Sequence, residues 1–138
     1  MKFTRRDTIL MAMGASAAAL LPIRANAAVE DAIAAFTGGA AVGDAGITLT
    51  APEIAENGNT VPVEVSAPGA VSIMLLAAGN PTPAVATFNF GPLAGAQAGS
   101  TRIRLAGPQN VIAIAKMADG SFVQAQQEVK VTIGGCGG

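Results

Sequence analysis

One cysteine occurs in this 138-residue chain, at position 136, inside the run Gly134-Gly135-Cys136-Gly137-Gly138. A thiolate is a strong nucleophile, and a free cysteine ionises at a pKa of about 8.5. Glycine lacks a Cβ and samples backbone conformations closed to other residues. Four glycines around one cysteine therefore describe a tether and not a pocket. Each extended residue adds at most about 3.3–3.6 Å, so a thiol three residues past Ile133 can stand roughly 10 Å clear of the body. That placement suits a thiol handed to the active sites of other proteins. It suits catalysis at home poorly, because the tail has no cation to lower the thiol pKa and the terminal carboxylate is close. Two further readings stay open on these residues alone. The terminus can be frayed and its thiol idle, or the cysteine can cross-link the chain to a partner. Prenylation is excluded, because the cysteine is third from the end and not fourth.

The rest of the chain supplies little chemistry. There is no histidine, which removes Ser-His-Asp and Cys-His catalysis and imidazole metal sites. A single cysteine forms neither an internal disulfide nor a CxxC redox pair. Glu53 and Glu56 stand three apart with no acid–base partner in view, and read as a solvated loop face. Asp44, beside Gly43, reads as a turn residue. Arg102 and Arg104 share the outer face of one expected strand; they read as solubility residues, with an anion or a partner carboxylate as the alternative occupant. No phosphate loop or dinucleotide fingerprint appears. The expectation is a non-catalytic protein with no metal and no cofactor, whose one reactive atom is Cys136 Sγ.

The elements that must position this thiol begin with what is removed. Residues 1–27 read as a twin-arginine export signal. Lys2, Arg5 and Arg6 are basic, Ile9 to Leu21 is apolar, and Ala25-Asn26-Ala27 has the small-x-small pattern of a cleavage site. The apolar run of about 13 residues falls short of the roughly 20 that span a bilayer, so no membrane anchor is expected. The expected location is the periplasm. Twin-arginine export carries folded cargo, which points to assembly with a partner beforehand. The remaining stretch of about 110 residues is one domain. Its Arg102, Arg104, Lys116 and Lys130 are outnumbered by Glu30, Asp31, Asp44, Glu53, Glu56, Glu64, Asp119 and Glu128. A mildly acidic surface argues against nucleic acid, which requires a basic patch.

Ala28 to Phe36 reads as a short helix, with Val29, Ile33 and Phe36 on one face and Gly38-Gly39 as its stop. Glycine-rich chain follows to Gly46. From Ile47 the pattern is β. Pro52 to Asn59 reads as loop. Val61, Val63 and Val65 line one face of a strand that Pro62 marks as an edge or as bulged. Val71 to Ala77 is a continuous apolar run, consistent with a strand buried on both faces. Val85 to Phe90, Thr101 to Leu105, Val111 to Met117 and Phe122 to Ile133 complete the strands, with Ala118-Asp119-Gly120 closing a hairpin. The length of the last strand predicts a bulge near Gln126-Gln127. About seven short strands between Gly/Pro turns predict an all-β, immunoglobulin-like sandwich. The expected organisation is a signal over 1–27, a carrier domain with its N-terminal helix over 28–133, and a flexible arm over 134–138.

The ending Val129-Lys130-Val131-Thr132-Ile133-Gly134-Gly135-Cys136-Gly137-Gly138 resembles the carboxyl terminus of the SoxY family, the sulfur-carrier subunits of the bacterial thiosulfate-oxidising Sox system. Asn57-Gly58-Asn59-Thr60-Val61-Pro62-Val63, Gly79-Asn80-Pro81 through Ala86-Thr87-Phe88, Ser100 to Ala106 and Met117 to Phe122 are similar to the same family. The segment Ala67 to Ala78 is shorter and more apolar than that family usually has. The resemblance implies a heterodimer with SoxZ, a second small β-sandwich. It implies that Cys136 carries sulfur covalently and that Gly134, Gly135, Gly137 and Gly138 form the carrier arm. It further implies loading of thiosulfate by a c-type cytochrome, SoxXA, and release of sulfate by a manganese hydrolase, SoxB. A molybdenum–haem sulfane dehydrogenase, where present, would oxidise the sulfur left behind.

Overall fold

The computed structural model describes residues 24–132. Residues 1–23 of the expected export signal and the expected arm, Gly134 to Gly138 with Cys136, lie outside the described residues. Helix α1 runs from Arg24 to Thr37, starting earlier than expected because Arg24-Ala25-Asn26-Ala27 holds no helix breaker and alanine favours helix. It stops where expected. Gly38 and Gly39 take φ of 66° and 85°, a left-handed conformation natural to glycine, and the Gly38 N–H donates to Ala34 O at 2.7 Å.

Nine strands follow among the described residues. They are β1 (Val42–Gly43), β2 (Thr48–Thr50), β3 (Ile54–Ala55), β4 (Val61–Ser66), β5 (Ala70–Ala77), β6 (Ala84–Asn89), β7 (Ala98–Ile103), β8 (Gln109–Met117) and β9 (Phe122–Val131). One sheet has the order β1-β9-β8-β5-β6, with β3 also paired to β9, and a smaller sheet has the order β2-β4-β7. The sandwich is immunoglobulin-like. The count exceeds the expected seven because β1 and β3, two residues each, lie in stretches that read as loop. Both run parallel to β9, at Phe122–Val123 and Lys130–Val131 respectively. Two residues are too few to show a period, so only the partner strand defines them.

Alternation decides the layers. Val61, Val63 and Val65 of β4 meet Ile73, Leu75 and Ala77 of β5, Val111, Ala113 and Ala115 of β8, and Val129 of β9 in one core between the sheets. The opposite face of the larger sheet carries Met74, Leu76, Ile114 and Phe122, and α1 covers it with Ala32, Ile33 and Phe36. The rings of Phe36 and Phe122 meet edge to face at 5.8 Å. Strand β5 therefore needs apolar side chains on both faces, which accounts for the run after Ala70. The sheets also approach closely where Phe88 of β6 faces Gly99 of β7. A Cβ on Gly99 would stand 2.7 Å from two ring carbons of Phe88, so only glycine fits beneath that ring.

Two expectations about irregularity are corrected. Strand β9 has no bulge near Gln126-Gln127, since its pairs with β8 step one for one from Gln109↔Val129 to Lys116↔Phe122. The irregularities lie in β5 instead, between Ala70 and Ser72 against β8 and between Leu75 and Leu76 against β6. Strand β4 is the middle strand of the small sheet and not an edge. Its Pro62 pairs with Arg102 of β7, while β2 reaches only Glu64 to Ser66. The proline thus sits where one flank of the strand is open, and its missing N–H breaks no ladder there.

The β8–β9 hairpin turns through Gly120 at φ 88°. Asp119 Oδ1 accepts from the Ser121 hydroxyl at 2.6 Å and from the Ser121 N–H at 2.9 Å. These bonds, the hydroxyl's first, hold the Asp119 carboxyl below its ordinary value of 3.8. A carboxylate with a lowered folded pKa contributes stability that is present above the unfolded pKa and lost as pH falls through the folded one. Asp119→Asn should therefore lower Tm slightly at neutral pH. Thermal melts across pH should show the two proteins converging below the ordinary carboxylate range. A gap that stays constant into strong acid would contradict this account.

Candidate functional site

Strand β9 delivers the carboxyl terminus to one end of the sandwich, and the local structure there fixes its starting point. Lys130 N–H donates to Glu53 O at 2.9 Å, and Thr132 N–H donates to Ala55 O at 3.0 Å. The Thr132 hydroxyl lies 3.2 Å from Glu56 O and 3.4 Å from Ala55 O, so its one proton is shared between two carbonyls. Strand β3 thus acts as a short splint along the last turn of pleat before the glycine-rich tail. Cys136 and its flanking Gly134, Gly135, Gly137 and Gly138 lie outside the described residues. The structure places their root and nothing beyond it.

Three loops share this end of the molecule, because β4, β6 and β8 begin here while β5, β7 and β9 end here. They are joined by hydrogen bonds around Gln109, which is 9% exposed. Its Oε1 accepts from Gly79 N–H at 2.8 Å, and its Nε2 donates to Asn80 Oδ1 at 2.9 Å and to Gly107 O at 3.0 Å. Asn80 Nδ2 donates to Arg104 O at 2.7 Å, and Asn80 Oδ1 also accepts from Ala106 N–H at 3.0 Å. A Cβ on Gly79 would lie 3.1 Å from Gln109 Cβ, so the loop closes tightly over the amide. Leu105 N–H donates to Gly58 O at 2.8 Å and draws in the third loop. Among the described residues every buried side-chain nitrogen and oxygen has a partner. A network satisfied in this way is stiff, since each broken bond would strand a polar group. The terminus therefore leaves from a rigid base.

The surface beside the root is a shallow hollow of about 310 Å³ lined by Glu53, Ile54, Gln127, Glu128 and Lys130. Ile54 is 59% exposed there. Glu53 and Glu56, which read in sequence as a solvated loop face, lie beside the end of β9, where the Glu53 carbonyl accepts from Lys130 N–H and the Glu56 carbonyl is 3.2 Å from the Thr132 hydroxyl. A larger hollow of about 550 Å³ lies on the outer face of the small sheet, with Thr50, Pro62, Glu64, Ser100 and Arg102 among its lining. Arg102 and Arg104 are exposed as expected, and Arg104 uses only its carbonyl in the network. Among the described residues no group of three His, Cys, Asp or Glu could hold a metal ion. None of their helices is long and apolar enough to cross a membrane.

Comparison with known proteins adds the following. A family model described as "Sulfur oxidation protein SoxY" matches residues 33–136. No curated protein matches the chain. The structure of the sulfur carrier protein SoxY from Chlorobium limicola f thiosulfatophilum is similar at a TM-score of 0.67 and 38% identity, over 78% of this chain and 98% of that one. A superoxide reductase (neelaredoxin) from Ignicoccus hospitalis is similar at a TM-score of 0.54 and 21% identity, over 62% of this chain and 79% of that one. A putative superoxide reductase from Thermotoga maritima has a TM-score of 0.52 and 16% identity, over 71% and 91%. These last two likenesses concern the fold alone.

Proposed function

We propose, because this chain belongs to the SoxY family of sulfur oxidation proteins, that it is a periplasmic carrier which holds thiosulfate-derived sulfur covalently on Cys136 and presents it to the Sox enzymes. The observation that carries this reading is the extent of the family match. It runs to residue 136, so the chain's single cysteine falls inside it. The chain has no histidine that could act as a base for the thiol. Activation of the thiol then belongs to the partner active sites that receive it.

The chemistry divides between this chain and its partners. In loading, the Cys136 thiolate would join the outer sulfur of thiosulfate, giving Cys–S–S–SO3⁻, and the two electrons released would pass in one-electron steps to the cytochrome partner, SoxXA. In release, water attacks the terminal sulfonate at the hydrolase, SoxB. The S–SO3 bond breaks, sulfate and two protons leave, and Cys136 keeps a persulfide. A sulfane dehydrogenase, where present, oxidises that persulfide sulfur. This chain contributes the sulfur atom, the glycine flanks that let a narrow active-site channel close around it, and the anchored root. SoxZ pairs with the sandwich as its standing partner. The experiment is thiosulfate oxidation reconstituted from the partner enzymes with and without this chain, and turnover should require it. Unchanged turnover without the chain would end the proposal.

A further inference from the structure

We infer that the partner sandwich docks on the β6 edge of the larger sheet, by adding a strand to it. The inference rests on the pairing in the carrier reading above and deepens it by assigning the surface. The two sides of this sandwich end differently. On one side the outer strands are short: β1 and β3 have two residues each, and β2, which lies near β9, has three. Short edge strands guard a sheet against pairing with another chain. On the other side the outer strands are β6 and β7, six residues each. Gly99 of β7 lies under the Phe88 ring of β6, so these two long edges share one side. Among the described residues β6 has β5 as its one neighbour, and it holds no charge and no proline. Its backbone is set for a further strand. Phe90 N–H donates to Val71 O at 3.0 Å, and Phe88 pairs with Ile73. Alternate residues of an antiparallel strand face opposite neighbours, so the N–H and C=O groups of Thr87 and Asn89 point away from β5, to the open edge. The irregularity between Leu75 and Leu76 falls at Val85 and leaves Ala86 to Asn89 in register. The side chains say what kind of strand fits. No charged residue occurs between Glu64 and Arg102, a stretch that holds β5, β6 and most of β7. Charged residues are depleted at interface cores in the same way. Leu93, in the loop from β6 to β7, is 98% exposed, and Val71 is 40% exposed. The occupant is therefore an uncharged edge strand with apolar contacts beside it, the strand-addition mode of recognition. It belongs to a different chain and not to a second copy, because acidic residues outnumber basic ones after residue 27 and two acidic copies repel.

The test titrates the full chain with purified SoxZ and follows amide hydrogen exchange by NMR in the free and bound states. In the free chain the Thr87 and Asn89 amides should exchange fast, and those of Phe88 and Phe90 slowly. Binding of SoxZ should slow exchange at Thr87 and Asn89 by at least about tenfold. Thr87→Pro deletes an N–H that β5 does not use, so the ladder inside the sheet survives. It should weaken SoxZ binding by at least about tenfold, because a carbonyl of the added strand loses its donor. Leu93→Asp puts a charge into the contact and should weaken binding by about tenfold as well. Ile54→Asp is the matched control, on β3 at the opposite edge of the sheet, and should leave binding within about twofold of wild type. Neither Asp variant should change Tm, since both side chains are exposed. If SoxZ binds but leaves the Thr87 and Asn89 amides unprotected, or binds Thr87→Pro and Leu93→Asp as tightly as wild type, the assignment to β6 is overturned and the pairing stands. Protection of the same amides in the chain alone as its concentration rises would make the occupant a second copy, and would also overturn it. A wild-type chain that does not bind SoxZ would overturn the pairing and this assignment with it.

Discussion

Cys136→Ser should abolish thiosulfate oxidation by the reconstituted enzymes while leaving the sandwich and its pairing intact. Serine keeps the size and polarity of the side chain but not its nucleophilicity at neutral pH or its capacity to form an S–S bond. No other residue can substitute, because the sequence holds one cysteine and no histidine. The two cores and the Gln109 network are built from residues of the 24–132 stretch, and substitutions away from such features stay within about 0.5 kcal/mol. Turnover should thus fall to the background of the partner enzymes, with Tm unchanged and the partner subunit still bound. A variant that keeps turnover but loses its partner under non-reducing conditions would show instead that the cysteine is a cross-link.

Leu75→Ala should have the largest effect on stability. Leu75 is fully buried in the middle of β5, paired with Ala113 of β8 on one side and Ala86 of β6 on the other. Its neighbours are held in two ladders and cannot collapse into the space left behind. Truncations of this kind cost about 2–5 kcal/mol, against a total of about 5–15 kcal/mol for a domain. Urea unfolding should show the midpoint falling with the slope unchanged. Reaction of Cys136 with a small disulfide should be unaffected below that midpoint. A loss under about 1 kcal/mol would mean that β5 is not the centre of the packing described.

What the residues revealed in advance follows from how each signal arises. The apolar alternation of Val61, Val63 and Val65 and the run from Val71 to Ala77 are long enough to carry a period, and both became core strands. Gly38-Gly39 and Asp119-Gly120 are backbone signals that act locally, and both end their elements as expected. The splint was not legible. Ile54 and Ala55 form a strand only because Lys130 and Val131 lie alongside, and no local pattern encodes a partner 76 residues away. The Gln109–Asn80 network was hidden for the same reason, since amides separated by 29 positions meet only once the fold is made. The bulge assigned to β9 failed because strand length is a weak guide. A ten-residue strand stays in register when its hairpin partner is nearly as long. The arm was expected from composition and motif, and it lies outside the described residues.

The central claim is that sulfur travels on one atom of this chain. Intact-mass and peptide mass spectrometry of the protein after exposure to thiosulfate and the cytochrome partner tests it most directly. The account predicts a mass gain equal to one thiosulfate-derived group, located on the peptide containing Cys136 and removed by reducing agent. No such gain, or one located elsewhere in the chain, would contradict it.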